Sequence, residues 1–579
     1  MRLITARLCL LAGVLAQGCI GVRAQQSLDV QQHGSRTDQA PASLEAEADG
    51  DGSALIDQST LPSAIELKGS RPRVDPSAVK PAATSLPEPL SSLGATPSLA
   101  LPNKTSEVRI RELRPLSLSE VEQLAEVNSP TLKAAASQVE QAKSNLLAAL
   151  SAWYPTLNLS SSVRFQGSES RQNPANHQLT TEEYTFGEEW ITNFGATLNW
   201  DLIDPARVPQ IASARDSFEQ QRDAYLIALR DLRLNAANLY FTLQRADEGV
   251  GIGQSAVRSS LVSLRDAQSR LQAGVATKLE VLEAETQLAR DTQSLTLAVA
   301  QQNTARRSLA QLLDLPQDIT PTAADPVQII GIWQPSLEES IVAAYAFREE
   351  LDSLILDISI NNSNANAALA AVQPVINLSN TFQANRREGE VGVTIDNSVD
   401  WKQHSWTSDN TVSLGFTWNI FDGGRAWAQY RQNKQKAQQS EFEFAAKRDQ
   451  VRLEVEQSFF NLRASNQDIK TTSIGVLSSR ESLRLARLRF QAGVTTQREV
   501  VNNQRDLKQA QTLYADAMLK YNQSMIQLRR RTGLDQIAAC DSLELSNKKP
   551  KDDLFDSAEV PIKPSPLNPA CKASILQAE

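Results

Sequence analysis

Few residues in this chain have types and spacing that suit catalysis or metal binding. Histidine is the side chain that most often serves as a general base or metal ligand near neutral pH. The chain has three, His33, His177 and His404, and they lie far apart in the sequence. No cluster of His, Cys, Asp or Glu has metal-site spacing, and no phosphate-binding loop or nucleophile–base arrangement is present in the sequence. The sequence therefore predicts no catalytic, cofactor-binding or metal site, and a protein that is not an enzyme.

One short motif occurs twice and marks the organisation of the whole chain. It reads RLQAGV at 270–275 and RFQAGV at 489–494, and its two glutamines, Gln272 and Gln491, are 219 residues apart. The same separation holds for Ser117 and Ser336, Glu120 and Glu339, and Pro155 and Pro374. A fixed offset over so much sequence indicates an internal duplication. Because glycine suits the left-handed residue that ends a helix, each motif predicts a helix end.

Each copy of the duplication is expected to contain two long helices. Repeat 1 is assigned to residues 106–316 and repeat 2 to residues 317–535. Capping boxes of the S-x-x-E type, at Ser117 and Ser336, begin the first helix of each repeat. Apolar residues at spacings of three and four then predict coiled-coil seams. The long helices are predicted at 205–272 and 278–313 in repeat 1, and at 425–491 and 496–532 in repeat 2.

The first long helix has two further expected properties. At about 1.5 Å per residue, the segment 205–272 would span about 100 Å. It contains Gly249, Gly251 and Gly253. Glycine inside a helix costs about 1 kcal/mol relative to alanine. We therefore expect a kink or a loosened turn at these glycines.

Between the helices the pattern changes to alternation of apolar and polar residues. The segment 410–421 is the clearest, with apolar residues at every second position from Val412 to Ile420. Strands are predicted at 155–166, 191–203, 374–386 and 410–421. Each has about ten residues, the length of a tilted membrane strand, and aromatic residues lie near the strand ends. Long polar loops are predicted at 167–189 and 387–409.

The N-terminus indicates export. Basic residues precede an apolar run at 8–16, and Val22-Arg23-Ala24 offers a cleavage site, so residues 1–24 are predicted as a secretory signal peptide. Lipidation at Cys19 is an open alternative. Residues 25–105 are rich in Pro, Ser and Ala and are predicted as a disordered linker.

The C-terminal tail is assigned to residues 536–579 and is also expected to be mostly disordered. Cys540 and Cys571 are the two cysteines that remain after removal of residues 1–24. In an oxidising compartment two such cysteines can form a disulfide, which leaves pairing and non-pairing both open here.

Four membrane strands are too few for a closed structure. About eight strands is the practical minimum for a barrel, and an open sheet edge in lipid would leave backbone groups unpaired. The chain is therefore expected to oligomerise, with two copies supplying eight strands or three copies twelve. The net charge of −9 gives no reason to expect nucleic acid as a partner.

From Ser117 to Asp535 the chain resembles the TolC-type outer membrane efflux protein family. The resemblance rests on a signal peptide followed in order by PTLNLS and PVINLS strands, WDLID and WNIFD strand ends, and two QAGV turns. It implies an α+β membrane protein, in which a duplicated helix-strand-strand-helix repeat builds a trimeric 12-stranded β-barrel in outer membrane lipid. A long α-helical barrel would continue it into the periplasm.

The resemblance also implies a function and its sites. The homotrimer would be an exit duct for efflux or type I secretion, docked to a periplasmic adaptor (membrane fusion) protein and an inner-membrane transporter, without cofactors. Adaptor contact would fall on the helix–helix turns at Gly274, Val275, Thr277, Gly493, Val494 and Thr496. The pore gate would match Glu499 and Asn502, and a ring of carboxylates can select cations. Glu280 and Glu283 are the equivalent acidic residues of repeat 1.

A second class of protein remains open from the sequence. An exported coiled-coil spacer or adhesin would have the long helices but no pore. It would lack alternating strands with aromatic ends, and this chain has four such strands. The alternation therefore favours the duct.

Overall fold

The computed structural model describes residues 81–97, 99–172, 183–394, 399–534 and 537. The predicted signal peptide, Cys19, Cys540 and Cys571 lie outside the described residues. In chain order the elements are β1 (Glu112–Leu116), α1 (Leu118–Asn128), α2 (Pro130–Leu150), β2 (Thr156–Gln172), β3 (Glu183–Ile203), α3 (Arg207–Gln272), α4 (Lys278–Leu312), β4 (Ile319–Ala323), α5 (Leu337–Phe347), α6 (Glu349–Ala370), β5 (Val375–Thr394), β6 (Val399–Thr417), α7 (Arg425–Gln491) and α8 (Gln497–Thr532).

Both predicted capping boxes are confirmed. The Ser117 hydroxyl accepts from the Glu120 backbone N–H, and the Glu120 carboxylate accepts from the Ser117 N–H, at the start of α1. Ser336 and Glu339 make the same reciprocal bonds at the start of α5. Such boxes satisfy backbone donors that a helix start leaves unpaired. The duplication therefore extends to the local chemistry of helix initiation.

The four long helices form two hairpins, in which α3 packs against α4 and α7 against α8. Helix α3 also packs against α8, so the two hairpins share one bundle. With 66 residues, α3 spans about 100 Å at about 1.5 Å per residue. Among the described residues, no helix is both long and apolar enough to cross a lipid bilayer.

Helix α3 is continuous through its three glycines, so the loosened turn expected from the sequence does not interrupt the helix. At Gly253 an added Cβ would lie 3.2 Å from Leu295 Cδ1 and 3.3 Å from Leu295 Cα on α4. Glycine at this position therefore allows close approach of the neighbouring helix. The packing of α4 holds the helical conformation that glycine's own propensity disfavours.

The four long strands form one antiparallel sheet in the order β2-β3-β5-β6, which leaves β2 and β6 at its edges. Their 17, 21, 20 and 19 residues exceed the predicted ten. The ladder continues through most of the residues predicted as loops, pairing Gln166 with Glu189 and Arg387 with Ser405. The loop prediction was wrong there. It ended each strand where the alternation of apolar and polar residues ends, but backbone pairing does not require that alternation. At its other end β6 stops at Thr417, before the predicted 421.

Two tryptophans tie the sheet to the preceding helices in equivalent ways. Trp200 Nε1 donates to the Trp153 carbonyl at 3.1 Å, and Trp418 Nε1 donates to the Val372 carbonyl at 3.0 Å. Asp422 then accepts from the Gly424 and Ala426 N–H groups at the start of α7. The junctions of the sheet with the helices are thus stabilised by side-chain bonds to backbone.

The packed part of the chain begins earlier than the predicted linker boundary at residue 105. A short 3₁₀ helix at Glu88–Leu93 buries Leu90 and Leu93, each 1% exposed. Asn128 donates to the Leu93 carbonyl at 2.8 Å and accepts from the Ala95 N–H. Two apolar side chains and these bonds stabilise a segment whose composition alone predicts disorder. Residues 81–97 therefore belong to the folded domain.

A small parallel sheet joins the two repeats. Strand β1 pairs with β4 from Glu112↔Ile319 to Leu116↔Ala323. Neither strand was predicted from the sequence, because five residues are too few to show a clear alternation. The main apolar core lies beside this sheet and is formed by residues of α1, α3 and α4 together with Leu90 and Leu93.

Candidate functional site

The two QAGV motifs form matching turns. Gly274 and Gly493 each have a φ of +74°, which confirms the predicted left-handed residue at each helix end. The Val275 N–H donates to the Arg270 carbonyl at 2.9 Å, and the Val494 N–H donates to the Arg489 carbonyl at 3.0 Å. These bonds satisfy carbonyls that a helix end leaves free. Both valines are 66% exposed, so each turn presents an apolar side chain to its surroundings.

The next helix starts differently after each turn. In repeat 1 the Thr277 hydroxyl accepts from the Glu280 N–H at 3.4 Å and caps α4. In repeat 2 Thr496 occupies the cap position of α8 but makes no side-chain capping bond. The neighbouring Thr495 hydroxyl donates instead to the Glu499 carboxylate. The predicted turn residues therefore lie together at one end of the bundle, on two turns with distinct bonding.

Glu499 also has a cationic partner across its own turn. Arg489 Nη1 donates to Glu499 Oε1 at 3.0 Å, and the Glu499 side chain is 34% exposed. Arg270, the repeat 1 counterpart of Arg489, stacks its guanidinium 4.1 Å from the centre of the Phe490 ring. The equivalent arginines thus have different partners, and of the two only the repeat 2 arginine neutralises an acidic residue after its turn.

Asn502, one turn after Glu499 on α8, lines the groove between α4 and α8. It is exposed there, beside Arg498, Arg505 and Glu283. The Arg498 guanidinium donates to the Glu283 carboxylate, and this contact raises the pKa of Arg498. Glu283 therefore faces the groove between α4 and α8.

A buried ion pair continues this link between α4 and α8. Lys508 Nζ lies 2.9 Å from Asp291 Oδ1, and the Asp291 side chain is 4% exposed. Burial alone would raise the pKa of Asp291. Hydrogen bonds from Ser260, Gln287 and Lys508 outweigh burial and lower it. Asp291 is thus held as a carboxylate between α3, α4 and α8.

At the opposite end of α8 a buried charge cluster joins both repeats. Arg348 lies 2.7 Å from Glu454 and 3.0 Å from Glu350, and Arg530 lies 2.8 Å from Glu350 and 2.6 Å from Asp231. Burial raises the pKa of Glu350, but its bond from Arg348 and the charge of Arg530 outweigh it and bring the pKa to about 2. The cluster fixes α6, α7, α3 and α8 to one another.

The cationic partners at the turns were not predicted from the sequence. Arg489 lies inside the duplicated motif, and Glu499 follows ten residues later, on the far side of a turn of defined geometry. That spacing was a usable signal for the pair. The Arg498–Glu283 contact had no such signal, because it joins residues of different repeats.

The chain is similar to known outer membrane proteins in each of its repeats. A family model described as outer membrane efflux protein matches residues 121–314 and 341–534, one segment in each repeat. The pyoverdine export outer membrane protein OpmQ of Pseudomonas putida is 26% identical over 429 residues, covering 72% of this chain and 86% of OpmQ. The outer membrane efflux protein BepC of Brucella suis is 22% identical over 365 residues, covering 62% of this chain and 75% of BepC.

Solved structures share the fold. The outer membrane protein VceC of Vibrio cholerae superposes with a TM-score of 0.57 at 16% identity, covering 72% of this chain and 96% of VceC. At that identity the likeness concerns the fold alone. The long helical hairpins and the four-stranded sheet are therefore an arrangement found in solved outer membrane proteins.

Proposed function

This chain belongs to the outer membrane efflux protein family, and from that premise we propose that three copies assemble into an exit duct that docks to a periplasmic adaptor and an inner-membrane transporter. The protein is an outer membrane efflux protein with its helical part in the periplasm. Its family consists of channel proteins that form trimers and work with adaptors and transporters. Four parts of this chain bear on the proposal: the sheet edges, the exposed apolar faces of the long helices, the helix–helix turns and the start of α8.

The sheet supports assembly. Strands β2 and β6 are the edges of the four-stranded sheet. Both carry exposed apolar side chains, such as Leu159 at 68% on β2 and Leu414 at 69% on β6. An open strand edge in lipid leaves backbone donors and acceptors unpaired, at several kcal/mol each. Pairing of β6 with β2 of the next copy would remove both edges, and three copies would give twelve strands.

The long helices support the same assembly. Helix α7 exposes large apolar side chains along its length: Phe442, Leu453, Phe460 and Ile474, each more than half exposed. Helix α4 exposes Leu297 at 58%. Apolar faces of this extent mark interaction surfaces. In the proposed trimer, α7 of one copy packs beside the α2 and α4 side of the next and closes a helical barrel.

The turns supply the proposed docking surface. Gly274, Val275 and Thr277 form one turn, and the second comprises Gly493, Val494 and Thr496. Each projects one exposed valine beyond the helix ends. An adaptor hairpin with small apolar residues at its tip would bury these valines, at about 25 cal/mol per Å² of apolar surface.

Glu499 and Asn502 are proposed as the gate. Three copies would place three Glu499 carboxylates around the axis, each compensated by Arg489. Asn502 adds a polar but uncharged side chain one turn further along α8. A ring of this kind favours cations weakly, because its own arginines oppose the selectivity of the carboxylates.

The docking proposal depends on the exposed valines of the two turns, and cross-linking tests it. A photoactivatable residue at position 494 should give an adduct with the adaptor in cells. The same residue at Trp406, 71% exposed on β6, is the control and should give none. Equal adducts from both positions, or none from position 494 in assembled protein, would remove the docking role of the turns.

A further inference from the structure

The start of α7 carries positive charge without nearby negative charge. Between positions 425 and 440 the sequence has no acidic residue and four basic ones: Arg425, Arg431, Lys434 and Lys436. The segment 358–370 of α6, which packs beside this part of α7, contains no charged residue. Among the described residues, Arg431 and Lys434 contact aromatic rings and one amide, and no carboxylate. Their charge is therefore uncompensated by the described part of the chain.

Two aromatic side chains lie among these cations. Trp427 and Tyr430 stack with their ring centres 5.2 Å apart. The Arg431 guanidinium lies 5.5 Å from the centre of the Trp427 ring, and Lys434 Nζ lies 5.8 Å from that of Tyr430. Lys434 also donates to the Asn362 amide on α6 at 2.8 Å. Cation–π attraction positions the two basic groups without neutralising their charge.

This cluster follows directly after the apolar surface of the sheet. Strand β6 exposes alternate apolar side chains, among them Phe416 at 64%. The chain between β6 and α7 continues this surface with Trp418, Ile420 and Phe421, which are 51%, 74% and 82% exposed. Arg425 stands four residues after Phe421. Because the helices lie on the periplasmic side, the cations begin where the apolar surface ends, which is the level of lipid headgroups.

We propose that the first turns of α7 bind the headgroups of anionic phospholipids in the leaflet of the outer membrane that faces the periplasm. Arg431 and Lys434 donate to the phosphate oxygens in charge-assisted hydrogen bonds. Trp427, half exposed, lies at the boundary between headgroup and acyl chain, where amphipathic aromatic side chains are enriched. Basic residues next to a membrane surface attract anionic lipids. The adjoining apolar surface favours a lipid over a free anion, because acyl chains pack against it.

The start of α3 lacks this surface. Arg207, the first residue of α3, is 2% exposed, and its guanidinium lies 4.4 Å from the centre of the Trp153 ring. Arg215 lies 3.7 Å from Asp216. Counted from the helix start, Asp216 stands at the position of Lys434 in α7. The cations at the start of α3 are thus buried or paired, and the duplication alone does not produce the basic surface.

The proposed lipid site and the proposed trimer contact use different sides of α7. Leu453, assigned to the contact between copies, lies on the side of the helix opposite the buried Ala426 and Ala437. Tyr430 and Lys434 lie on the half that faces α6. Lipid binding therefore leaves the contact between copies free. It also requires neither docking nor the gate, so its failure would leave the proposed duct intact.

Native mass spectrometry of the detergent-purified full chain tests the proposal. The protein is titrated with phosphatidylglycerol, which has a net negative charge, and separately with phosphatidylcholine of the same acyl chains, which is zwitterionic. We expect phosphatidylglycerol to bind at a concentration about tenfold lower, because the basic residues attract its charge. Equal binding of the two lipids would overturn the proposal.

Paired variants separate this site from a general effect of charge. Arg431→Gln combined with Lys434→Gln should weaken phosphatidylglycerol binding by about tenfold. Lys447→Gln combined with Arg448→Gln removes two charges from the same helix about 25 Å further from the sheet and should leave binding unchanged. Unchanged melting temperatures identify both double variants as folded. Wild-type binding by the first double variant, or equal weakening by both, would contradict the site.

Competition with inorganic phosphate separates a lipid headgroup from a free anion. We expect excess inorganic phosphate to leave phosphatidylglycerol bound, because phosphate has no acyl chains to pack against Ile420 and Phe421. Displacement of the lipid by inorganic phosphate at equal concentration would assign the cations to a free anion and overturn the lipid proposal.

Discussion

Arg489 donates to Glu499 at 3.0 Å across the turn between α7 and α8. The acidic residue proposed for the gate therefore has a cation of its own chain beside it. Thr495 donates to the same carboxylate. In a trimer, three such pairs beside the helix–helix turns would present less negative charge to a passing ion than three free carboxylates. Removing the arginine and removing the carboxylate should therefore change the ion selectivity in opposite directions.

Arg489→Gln should raise the preference of the channel for cations, since it leaves the Glu499 charge uncompensated. Glu499→Gln should lower that preference, because the arginines then stand alone. Reversal potentials in a salt gradient across a planar bilayer measure both effects. Glu280→Gln changes the equivalent acidic residue of repeat 1 and should have little effect. Unchanged potentials in both gate variants would remove Glu499 from the gate.

Gly493→Pro should block export, because proline holds φ near −65° and the turn requires +74°. The variant should still reach the outer membrane and assemble, since the turn lies far from the sheet. Export assays with a fluorescent efflux substrate and native gels measure the two properties. Gly475→Ala, at a helical glycine with open space around it, is the matched control and should behave as wild type. Normal export by the proline variant would contradict the role of the turn.

Stability should fall as pH drops from about 4.5 towards about 2. The pKa of Glu350 is lowered from its ordinary 4.5 to about 2 in the fold, so its contribution is complete above the unfolded pKa and lost as pH falls through the folded pKa. At about 1.4 kcal/mol per pKa unit the contribution is on the order of 3 kcal/mol. Burial raises the pKa of Glu349 above 4.5, so its own effect, a gain in stability as pH falls, is complete by about pH 4.5 and does not offset the loss below it. Thermal melts of the detergent-purified protein over this pH range measure the net effect.

Glu350→Gln should flatten that pH dependence and lower stability at neutral pH. It leaves Arg348 and Arg530 without their shared carboxylate, and breaking a buried pair costs about 3–5 kcal/mol. Glu481→Gln removes a carboxylate from a surface pair with Arg484, whose side chains are 54% and 59% exposed, and serves as the control. A Glu350 variant with the same pH profile as wild type would show that other groups govern acid unfolding.

Gly253→Val should destabilise the bundle by about 1–3 kcal/mol, as expected for overpacking. Its side chain would meet Leu295 on α4, which already lies 3.2 Å from the position of a Cβ. Gly251→Ala, two residues away and facing open space, should instead stabilise the helix by up to about 1 kcal/mol. Thermal unfolding followed by circular dichroism measures the stability of both variants. Equal effects would show that the contact of Gly253 with α4 does not contribute to stability.

The helices and the turns could be predicted from the sequence because their signals are local and duplicated. Each of these signals lies within a few residues of the element that it predicts. They are the capping boxes, the RLQAGV and RFQAGV motifs, and the apolar residues at spacings of three and four. Gly274 and Gly493 accordingly have the left-handed conformation that their position in the motif predicts.

The remaining features depend on contacts between distant residues. Leu90 and Leu93 stabilise a segment that composition assigns to disorder, because α1 and α3 provide a core for them. The strands continue beyond the segments in which apolar and polar residues alternate, because each strand is already paired in register with its neighbour. In the sequence Gln497 is an ordinary polar residue of a helix start, and its burial to 1% exposure follows from packing that the sequence does not show.

Single-particle imaging of the detergent-extracted full chain tests the proposed duct most directly. We expect a threefold particle with a detergent-covered barrel, continued by a helical tube about 100 Å long. Strand β6 of each copy should pair with β2 of the next. A monomeric rod without a detergent belt, or a particle whose sheet edges stay open, would contradict the proposed duct.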